Sequence, residues 1–253
     1  MLTKRVIPCL LLLDRGLVKT IRFKNPTYIG DPINAVKIFN EKEVDELIFL
    51  DISASKENRK PDLKMIAEIA NEAFMPFCYG GGVDNIDTIK DLFRLGVEKV
   101  SLNTQAVLQP DLVKQAADIF GSQSVVVSID VRKTLFGKKT VHILGGRKNT
   151  GLEPVAFAQQ IEKAGAGELM VTSVDNDGAM HGYDIELLKS ITGAVNIPVI
   201  AGGGAGVLDD FKKATTEGGA SAAAAGSMFV YYGRQKGILI NYPERKKLEG
   251  LNL

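Results

Sequence analysis

Short apolar stretches alternate with amphipathic stretches along almost the whole chain. Between the apolar stretches lie segments such as Pro61–Ala73, Asp84–Leu95 and Asp184–Thr192, in which apolar residues recur three and four positions apart, as in a helix that packs on a sheet. Strands that alternate with helices predict a parallel sheet, and eight such units can close into a barrel. The candidate strands are Arg5–Leu11, Glu46–Asp51, Pro76–Tyr79, Lys99–Asn103, Val125–Asp130, Leu169–Val174, Val199–Ala201 and Ala222–Ala225.

An internal repeat favours a closed barrel over an open sheet. The segment Pro76–Val83 (PFCYGGGV) resembles Pro198–Ala205 (PVIAGGGA), which begins 122 residues later. This spacing is close to half of the 253 residues, and it exceeds the period of stacked repeat proteins. The sequence therefore predicts one domain over residues 1–253, of class α/β, folded as a (β/α)8 TIM barrel built from two duplicated half-barrels.

Composition excludes several classes of function. With 31 basic and 30 acidic residues the net charge is +1, which gives no electrostatic reason to expect nucleic acid. No apolar run is long enough to span a membrane, and the start of the chain is too quickly charged for a signal peptide. The two cysteines and two histidines suggest neither a disulfide framework nor a metal site. We expect a cytoplasmic protein without a metal, a cofactor, or a nucleic-acid or membrane partner.

Two glycine triplets predict phosphate-binding sites on opposite sides of one barrel mouth. Each triplet follows a strand and precedes a helix, where glycine lets backbone N–H groups approach a phosphate beside a helix N-terminus. Sharp turns alone would also use glycine, but two copies at equivalent repeat positions favour a ligand with a phosphate at each end. The predicted phosphate contacts are Gly81, Gly82, Asn103 and Thr104 in one half and Gly203, Gly204, Gly226 and Ser227 in the other.

Carboxylates also fall at the ends of predicted strands. Asp51 ends the second strand, and the pair Asp177–Gly178 follows the sixth. Such a carboxylate can hold a sugar hydroxyl, move a proton or cap the following helix. Both kinds of role stay open for Asp51, whereas ligand contact is favoured for Asp177 and Gly178.

Together these motifs resemble HisF, the cyclase subunit of imidazole glycerol phosphate synthase, over nearly the whole chain. In that family, HisF takes ammonia from the glutaminase HisH and adds it to a bis-phosphorylated ribulosyl aminoimidazole carboxamide, a lyase-type reaction of histidine biosynthesis. The resemblance implies a HisH-like glutaminase as heterodimer partner and a bis-phosphorylated or sugar-phosphate ligand. The matching stretches are Lys4–Leu10, Phe49–Ile52, Gly80–Gly82, Lys99–Thr104, Phe120–Asp130, Asn149–Gly151, Asp177–Gly178, Gly182–Asp184 and Gly202–Gly206.

One catalytic position departs from the family pattern. HisF uses two aspartates as general acid and base; one matches Asp130, but the position of the other holds Leu11. Strand alternation puts both positions on the inner face of the barrel, and leucine cannot move a proton. Asp14 could substitute only if the first loop were rearranged. Losing one of two acid–base groups costs about 10²–10⁴-fold in rate, which argues against ordinary cyclase turnover.

The charged gate of the family is retained. In HisF four charged residues ring the barrel floor and gate the entry of ammonia, and they match Arg5, Glu46, Lys99 and Glu168. A salt-bridge plug that only stabilises the floor is the alternative. Charged residues at strand starts, where packing prefers apolar ones, favour the gate.

The first loop resembles a subgroup of the family. Residues 16–34 and 40–51, with Leu11, are similar to HisF-like paralogues of surface-polysaccharide (lipopolysaccharide) biosynthesis. The resemblance implies that ammonia passes to a third, amidotransferase enzyme, which makes an acetamidino group on a nucleotide sugar. Lys19 would then contact an anionic ligand, with an exposed loop lysine as the alternative. The sequence favours this paralogue over a genuine cyclase, and both over a sugar-phosphate-binding barrel without catalysis.

Overall fold

The computed structural model describes residues 4–233 and 235–251. In that part of the chain the strands are β1 (Arg5–Leu13), β2 (Gly16–Ile21), β3 (Lys24–Gly30), β4 (Leu47–Asp51), β5 (Phe77–Gly80), β6 (Lys99–Leu102), β7 (Val125–Lys133), β8 (Lys139–Ile143), β9 (Lys148–Asn149), β10 (Glu168–Ser173), β11 (Val199–Gly202), β12 (Ala222–Ala225), β13 (Tyr231–Tyr232) and β14 (Gly237–Ile238). The helices are α1 (Pro32–Glu41), α2 (Leu63–Glu72), α3 (Ile86–Arg94), α4 (Thr104–Leu108), α5 (Pro110–Phe120), α6 (Pro154–Lys163), α7 (Ile185–Thr192), α8 (Leu208–Thr216), α9 (Ser227–Val230) and α10 (Arg245–Glu249). None of these helices is both long and apolar enough to cross a membrane.

Eight parallel strands close into a barrel. Their order is β1-β4-β5-β6-β7-β10-β11-β12, and β12 pairs in parallel with β1 to complete the circle. The predicted (β/α)8 architecture is therefore confirmed, and each predicted strand is present with small shifts at its ends. The ring of strands places every strand's C-terminal end at one rim, where the loops that follow can meet around a shared mouth.

Side-chain alternation divides the core into two layers. Along β1, Ile7, Cys9 and Leu11 belong to a small apolar cluster inside the barrel. Val6 and Leu10 belong to the larger cluster between the sheet and the helices. Because successive side chains of a strand point to opposite faces, one sequence register decides both which residues fill the barrel and which anchor the helices.

Side-chain caps begin the helices close to the predicted positions. Asp62 accepts a hydrogen bond from Met65 N at 3.0 Å and starts α2, and Asp184 does the same for α7 through Leu187 N. A capping residue has extended rather than helical backbone, which is why the helices begin one or two residues later than the apolar periodicity indicates.

Two hairpins on the rim were not predicted. The segment after β1 was expected to be a loop, but β1 continues to Leu13 and pairs with β2, with Leu11 opposite Val18. Likewise β7 continues to Lys133 and pairs with β8. These hairpins extend the first and fifth strands of the barrel, which occupy equivalent places in its two halves.

The outer core offers a test of this packing. Phe211 is fully buried, with ring centroids 5.9 Å from Phe229 and 6.5 Å from Tyr183. Phe211→Ala should lower the free energy of unfolding by about 3–5 kcal/mol, because it leaves a cavity. The control Phe136→Ala removes a ring that is 98% exposed, so a change within about 0.5 kcal/mol is expected. Urea unfolding followed by circular dichroism measures both, and equal losses would contradict this core.

Candidate active site at the mouth of the barrel

A cavity opens at the C-terminal ends of the barrel strands. It is bounded by both glycine triplets, by the β2–β3 hairpin and by the loop after β4. The catalytic and ligand-binding residues that the sequence predicted all line this one cavity: Lys19, Asp51, Gly81, Gly82, Asn103, Thr104, Asp130, Asp177, Gly178, Gly203, Gly204, Gly226 and Ser227. The structure thus brings them together, while their contacts with a ligand stay predictions.

The two glycine triplets have matching surroundings. Gly81 has φ +113°, and a Cβ there would collide with the carbonyl oxygen of Asp51. Gly203 has φ +76°, and a Cβ there would lie 2.6 Å from the carbonyl oxygen of Ser173, the equivalent residue of the second half. Both positions therefore exclude any side chain, whether or not a phosphate binds. The geometry confirms the duplication and leaves the backbone of each triplet bare toward the cavity.

The strand ends beside the triplets also match. Asn103 and Gly226 precede the short helices α4 and α9 with similar backbone angles, φ −119° and ψ −76° against φ −116° and ψ −66°. The side chains of the first half are occupied within the protein, since Asn103 Nδ2 donates to Ser128 O at 3.0 Å and Thr104 Oγ1 accepts from Leu144 N at 3.2 Å. The first backbone N–H groups of each helix have no intrahelical acceptor.

Asp51 organises the loop that follows β4. Its Oδ1 accepts from Ser53 N and Ala54 N, each at 3.0 Å, and its Oδ2 accepts from Arg59 Nη2 at 3.1 Å. Asp51 does not cap α2, because Asp62 does. Its carboxylate is buried, and most of these hydrogen bonds go to Oδ1. Asp51 therefore shapes this loop while it also lines the cavity.

Asp130 and Asp177 share the cavity, and both titrate above the usual range of an aspartate. Burial raises the pKa of Asp130 to about 7, and the charge of Asp177 adds to the increase. Burial also raises the pKa of Asp177, while Lys19 and the hydroxyl of Thr20, 3.5 Å away, act against that rise. A carboxyl with a pKa near neutrality can both accept and return a proton, which is the requirement for general acid–base catalysis.

The wall at the missing catalytic position is apolar. Leu11 lines the cavity and packs in the inner cluster with Val18 and Leu50. Asp14 is exposed on the turn between β1 and β2, and it is not among the residues around the cavity. Its replacement of the missing carboxylate is not supported. Cys9 lies beside Leu11, and burial raises the pKa of its thiol to about 12, so it stays protonated.

Lys19 is buried, not exposed. It is 5% exposed on β2, and the hairpin folds back so that its ammonium lies against Gly226. A Cβ at Gly226 would collide with Lys19 Nζ and lie 2.8 Å from Cys9 O. The alternative of an exposed loop lysine is therefore wrong, because the segment is a strand of a hairpin rather than a free loop.

The four charged residues of the floor form a closed ring. Arg5 donates to both Glu46 and Glu168, and Lys99 Nζ donates to Glu46 Oε1 at 2.9 Å and to Glu168 Oε2 at 3.0 Å. Burial opposes the charge of Lys99, but the two glutamates outweigh it and raise its pKa. The ring shuts the N-terminal end of the barrel in this structure, and its opening as a gate stays a prediction.

Several side chains that line the cavity were not predicted from the sequence, among them Phe23 and Lys56. Phe23 sits in the β2–β3 turn, and Lys56 sits in the loop after β4. The signal available for Lys56 was its place between a strand end and a helix, where loops of such barrels carry function. No cluster of three His, Cys, Asp or Glu side chains in residues 4–233 and 235–251 is placed to hold a metal ion.

The raised pKa of Asp130 has a consequence for stability. A carboxyl in the unfolded chain titrates near about 3.9, whereas Asp130 in the folded chain titrates near 7. The folded state binds this proton more tightly, so stability is lost as the pH rises from about 4 through 7. Asp130→Asn should therefore raise the thermal unfolding midpoint more at pH 8 than at pH 5. Asp14→Asn, an exposed control, should shift it equally at both; an equal gain from Asp130→Asn would contradict the assignment.

Comparison with known proteins identifies the family. The sequence model of a family described as histidine biosynthesis protein matches residues 5–236. A Pseudomonas aeruginosa protein, named provisionally as imidazole glycerol phosphate synthase subunit hisF2, is 51% identical over 98% of this chain and 99% of its own length. A Vibrio vulnificus protein, named provisionally as subunit hisF3, is 46% identical over 98% of this chain and 96% of its own length. Imidazole glycerol phosphate synthase subunit HisF of Limosilactobacillus fermentum is 45% identical over 83% of this chain and 81% of its own length. The chain therefore belongs to the histidine biosynthesis protein family, as a paralogue of the HisF type.

Proposed function

We propose that this barrel receives ammonia from a HisH-type glutaminase at its floor and conducts it to its mouth, where a ligand with an anionic group at each end is held. The observation that carries the proposal is the arrangement of the charged ring and the mouth cavity at opposite ends of one barrel. A barrel that only bound a sugar phosphate would have no use for buried charges at the starts of its strands.

The interior between the two ends holds large apolar side chains, such as Ile48 and Met170, together with small and polar ones. Cys78 is buried in this interior, and the charges of Glu46, Lys99 and Glu168 act on its thiol. Above it, Ser101 Oγ and Ser128 Oγ lie 2.6 Å apart, and Ala224 faces them from β12. Hydroxyl groups can exchange hydrogen bonds with a passing ammonia molecule.

Across the mouth from the apolar wall of Leu11 lies Asp130, a carboxyl whose pKa is raised to about 7. When ammonia forms a C–N bond, its nitrogen must lose a proton, and a leaving oxygen must gain one. Asp130 can serve each step in turn, but it has no second carboxylate opposite it at Leu11. We therefore infer that the acceptor differs from the cyclase substrate, and that a third enzyme uses the ammonia for nucleotide-sugar amidation in surface-polysaccharide biosynthesis. The resemblance of residues 16–34 and 40–51 to that subgroup supports this inference.

Genuine cyclase activity in histidine biosynthesis is the second candidate. It would give imidazole glycerol phosphate and aminoimidazole carboxamide ribotide. The matching glycine triplets and Asp130 favour it, as does the 45% identity to a subunit named HisF. The two candidates share the glutaminase and the floor ring, and differ at Leu11.

Replacing Leu11 separates the two candidates. Turnover of the bis-phosphorylated cyclase substrate is measured at a high ammonium concentration, which bypasses the glutaminase. We expect no detectable turnover by the wild type and measurable turnover by Leu11→Asp, with a gain of about 10²-fold or more from the second acid–base group. Leu11→Asn, of similar size but unable to exchange a proton at neutral pH, is the matched control. Clear turnover by the wild type would reject the specialised paralogue and restore the cyclase.

An exposed phenylalanine tests the partner. Phe74 is 86% exposed between α2 and β5, and this connection lies on the same end of the barrel as the charged ring. Phe74→Asp should weaken binding to the HisH-type glutaminase by about tenfold or more, because exposed aromatic side chains are frequent anchors of interfaces. Phe136→Asp places the same change on a fully exposed ring at the opposite end. Calorimetric titration measures both; a loss confined to Phe136→Asp would place the partner at the mouth instead.

A further inference from the structure

Lys56 brings an unassigned cation to the mouth of the barrel. It lines the same cavity as Gly81, Gly82 and Asp130, and it is partly buried. Burial lowers the pKa of its ammonium, the charge of Arg147 lowers it further, and the charges of Glu57, Asp130 and Asp51 act in the opposite direction. The cation is thus held in a place that disfavours its charge.

Lys56 has no ion-pair partner within the part of the chain that the structure describes. Among residues 4–233 and 235–251, neither a carboxylate within 4.0 Å nor a hydrogen-bond acceptor is found for its Nζ. The arginine near Asp51 differs in this respect, since Arg59 is paired to Asp51 and Glu57. Partly buried charges are normally paired or hydrogen-bonded, so an unpaired ammonium on the wall of a ligand cavity indicates an anion that comes from the ligand.

The loop that carries Lys56 is held in a defined shape. Lys56 N donates to Ser53 O at 2.9 Å, within the turn that Asp51 stabilises from Ser53 to Arg59. Ser55 Oγ accepts from Gly82 N at 3.3 Å and so joins this loop to the first glycine triplet. The buried carboxylate of Asp51 thereby fixes the direction in which Lys56 enters the cavity.

A glycine on the neighbouring hairpin makes room for the side chain. Gly145, in the turn after β8, has φ +60°, and a Cβ there would collide with Lys56 Cε and lie 2.7 Å from Nζ. The ammonium therefore crosses the mouth directly over the backbone of Gly145. Any other residue at this position would displace it.

We propose that Lys56 binds the anionic group that occupies the first glycine triplet, in the role that the sequence predicts for Lys19 at the second. Lys19 lies against Gly226 in the second half, and Lys56 lies on the loop joined to Gly82 in the first. Each end of a two-ended dianionic ligand then meets one glycine triplet and one lysine. This inference rests on the proposed function and names the residue that recognises one end of the ligand.

Calorimetric titration with ribulose bisphosphate as the probe tests the role of Lys56. Lys56→Met should weaken binding by roughly 10- to 100-fold, the effect of losing a charge-assisted hydrogen bond. Binding by Lys56→Met should also depend less on salt concentration than binding by the wild type, because one screened ion contact is gone. Lys60→Met, an exposed lysine in the same loop, should bind like the wild type.

A pair of glycine variants checks the geometry without touching the lysine. Gly145→Ala should weaken binding in the same direction as Lys56→Met, because it displaces the ammonium. Gly137→Ala is the matched control, since Gly137 also has positive φ, +80°, but nothing lies within 4 Å of the added methyl group. Circular dichroism and thermal unfolding confirm that each variant is folded.

The outcomes distinguish this inference from the proposal beneath it. Tight binding by the wild type, with losses in Lys56→Met and Gly145→Ala only, supports the role of Lys56. Equal binding by the wild type and Lys56→Met would overturn that role and leave the paired phosphate sites intact. No binding by the wild type would overturn the phosphate sites themselves, and the inference with them.

Discussion

The alternation of side chains along closed parallel strands is the constraint on which this molecule depends. Once β12 pairs with β1, every barrel strand has one face inside the barrel and one face against the helices. Because the closed sheet has no free edge, a strand paired in the wrong register would bury polar side chains and expose apolar ones. A shift of one residue would turn Asp130 away from the mouth and leave Arg5 outside the floor. The register that packs Ile7 inside the barrel also places Leu11, which lies further along the same face of β1, at the catalytic position.

The charges inside this barrel follow from how each is compensated. At the floor, two glutamates and two cations satisfy one another in a closed ring, so buried charge is retained without a ligand. At the mouth, compensation is incomplete: Asp130 responds with a raised pKa and Lys56 with a lowered one. A folded protein tolerates such groups mainly where they act on a ligand. The charges of the floor are therefore balanced within the protein, whereas the charges of the mouth are suited to a ligand that binds there.

The sequence predicted the barrel and its site well because both depend on local patterns. Strand ends, glycine triplets and the 122-residue repeat are all visible along the chain, and the closed sheet brings their residues to one rim. The two hairpins were missed because their pairing depends on where the neighbouring strands lie. The role of Asp51 was left open for the same reason, since Arg59 reaches it only after the loop has folded. Lys56 carried no motif, and its meaning comes from Gly145, which is distant in sequence.

The duplication explains why the two lysines arise from different elements. The glycine triplets descend from one repeat and keep nearly the same surroundings, because a strand-end carbonyl excludes any side chain there. The cations are under no such steric constraint, so each can come from whichever segment reaches the mouth. Beside Gly226 that segment is the β2–β3 hairpin, which carries Lys19. Beside the first triplet it is the loop held by Asp51, which carries Lys56. A ligand with two similar ends requires equal charge at both, and it leaves the protein free in how each charge is delivered.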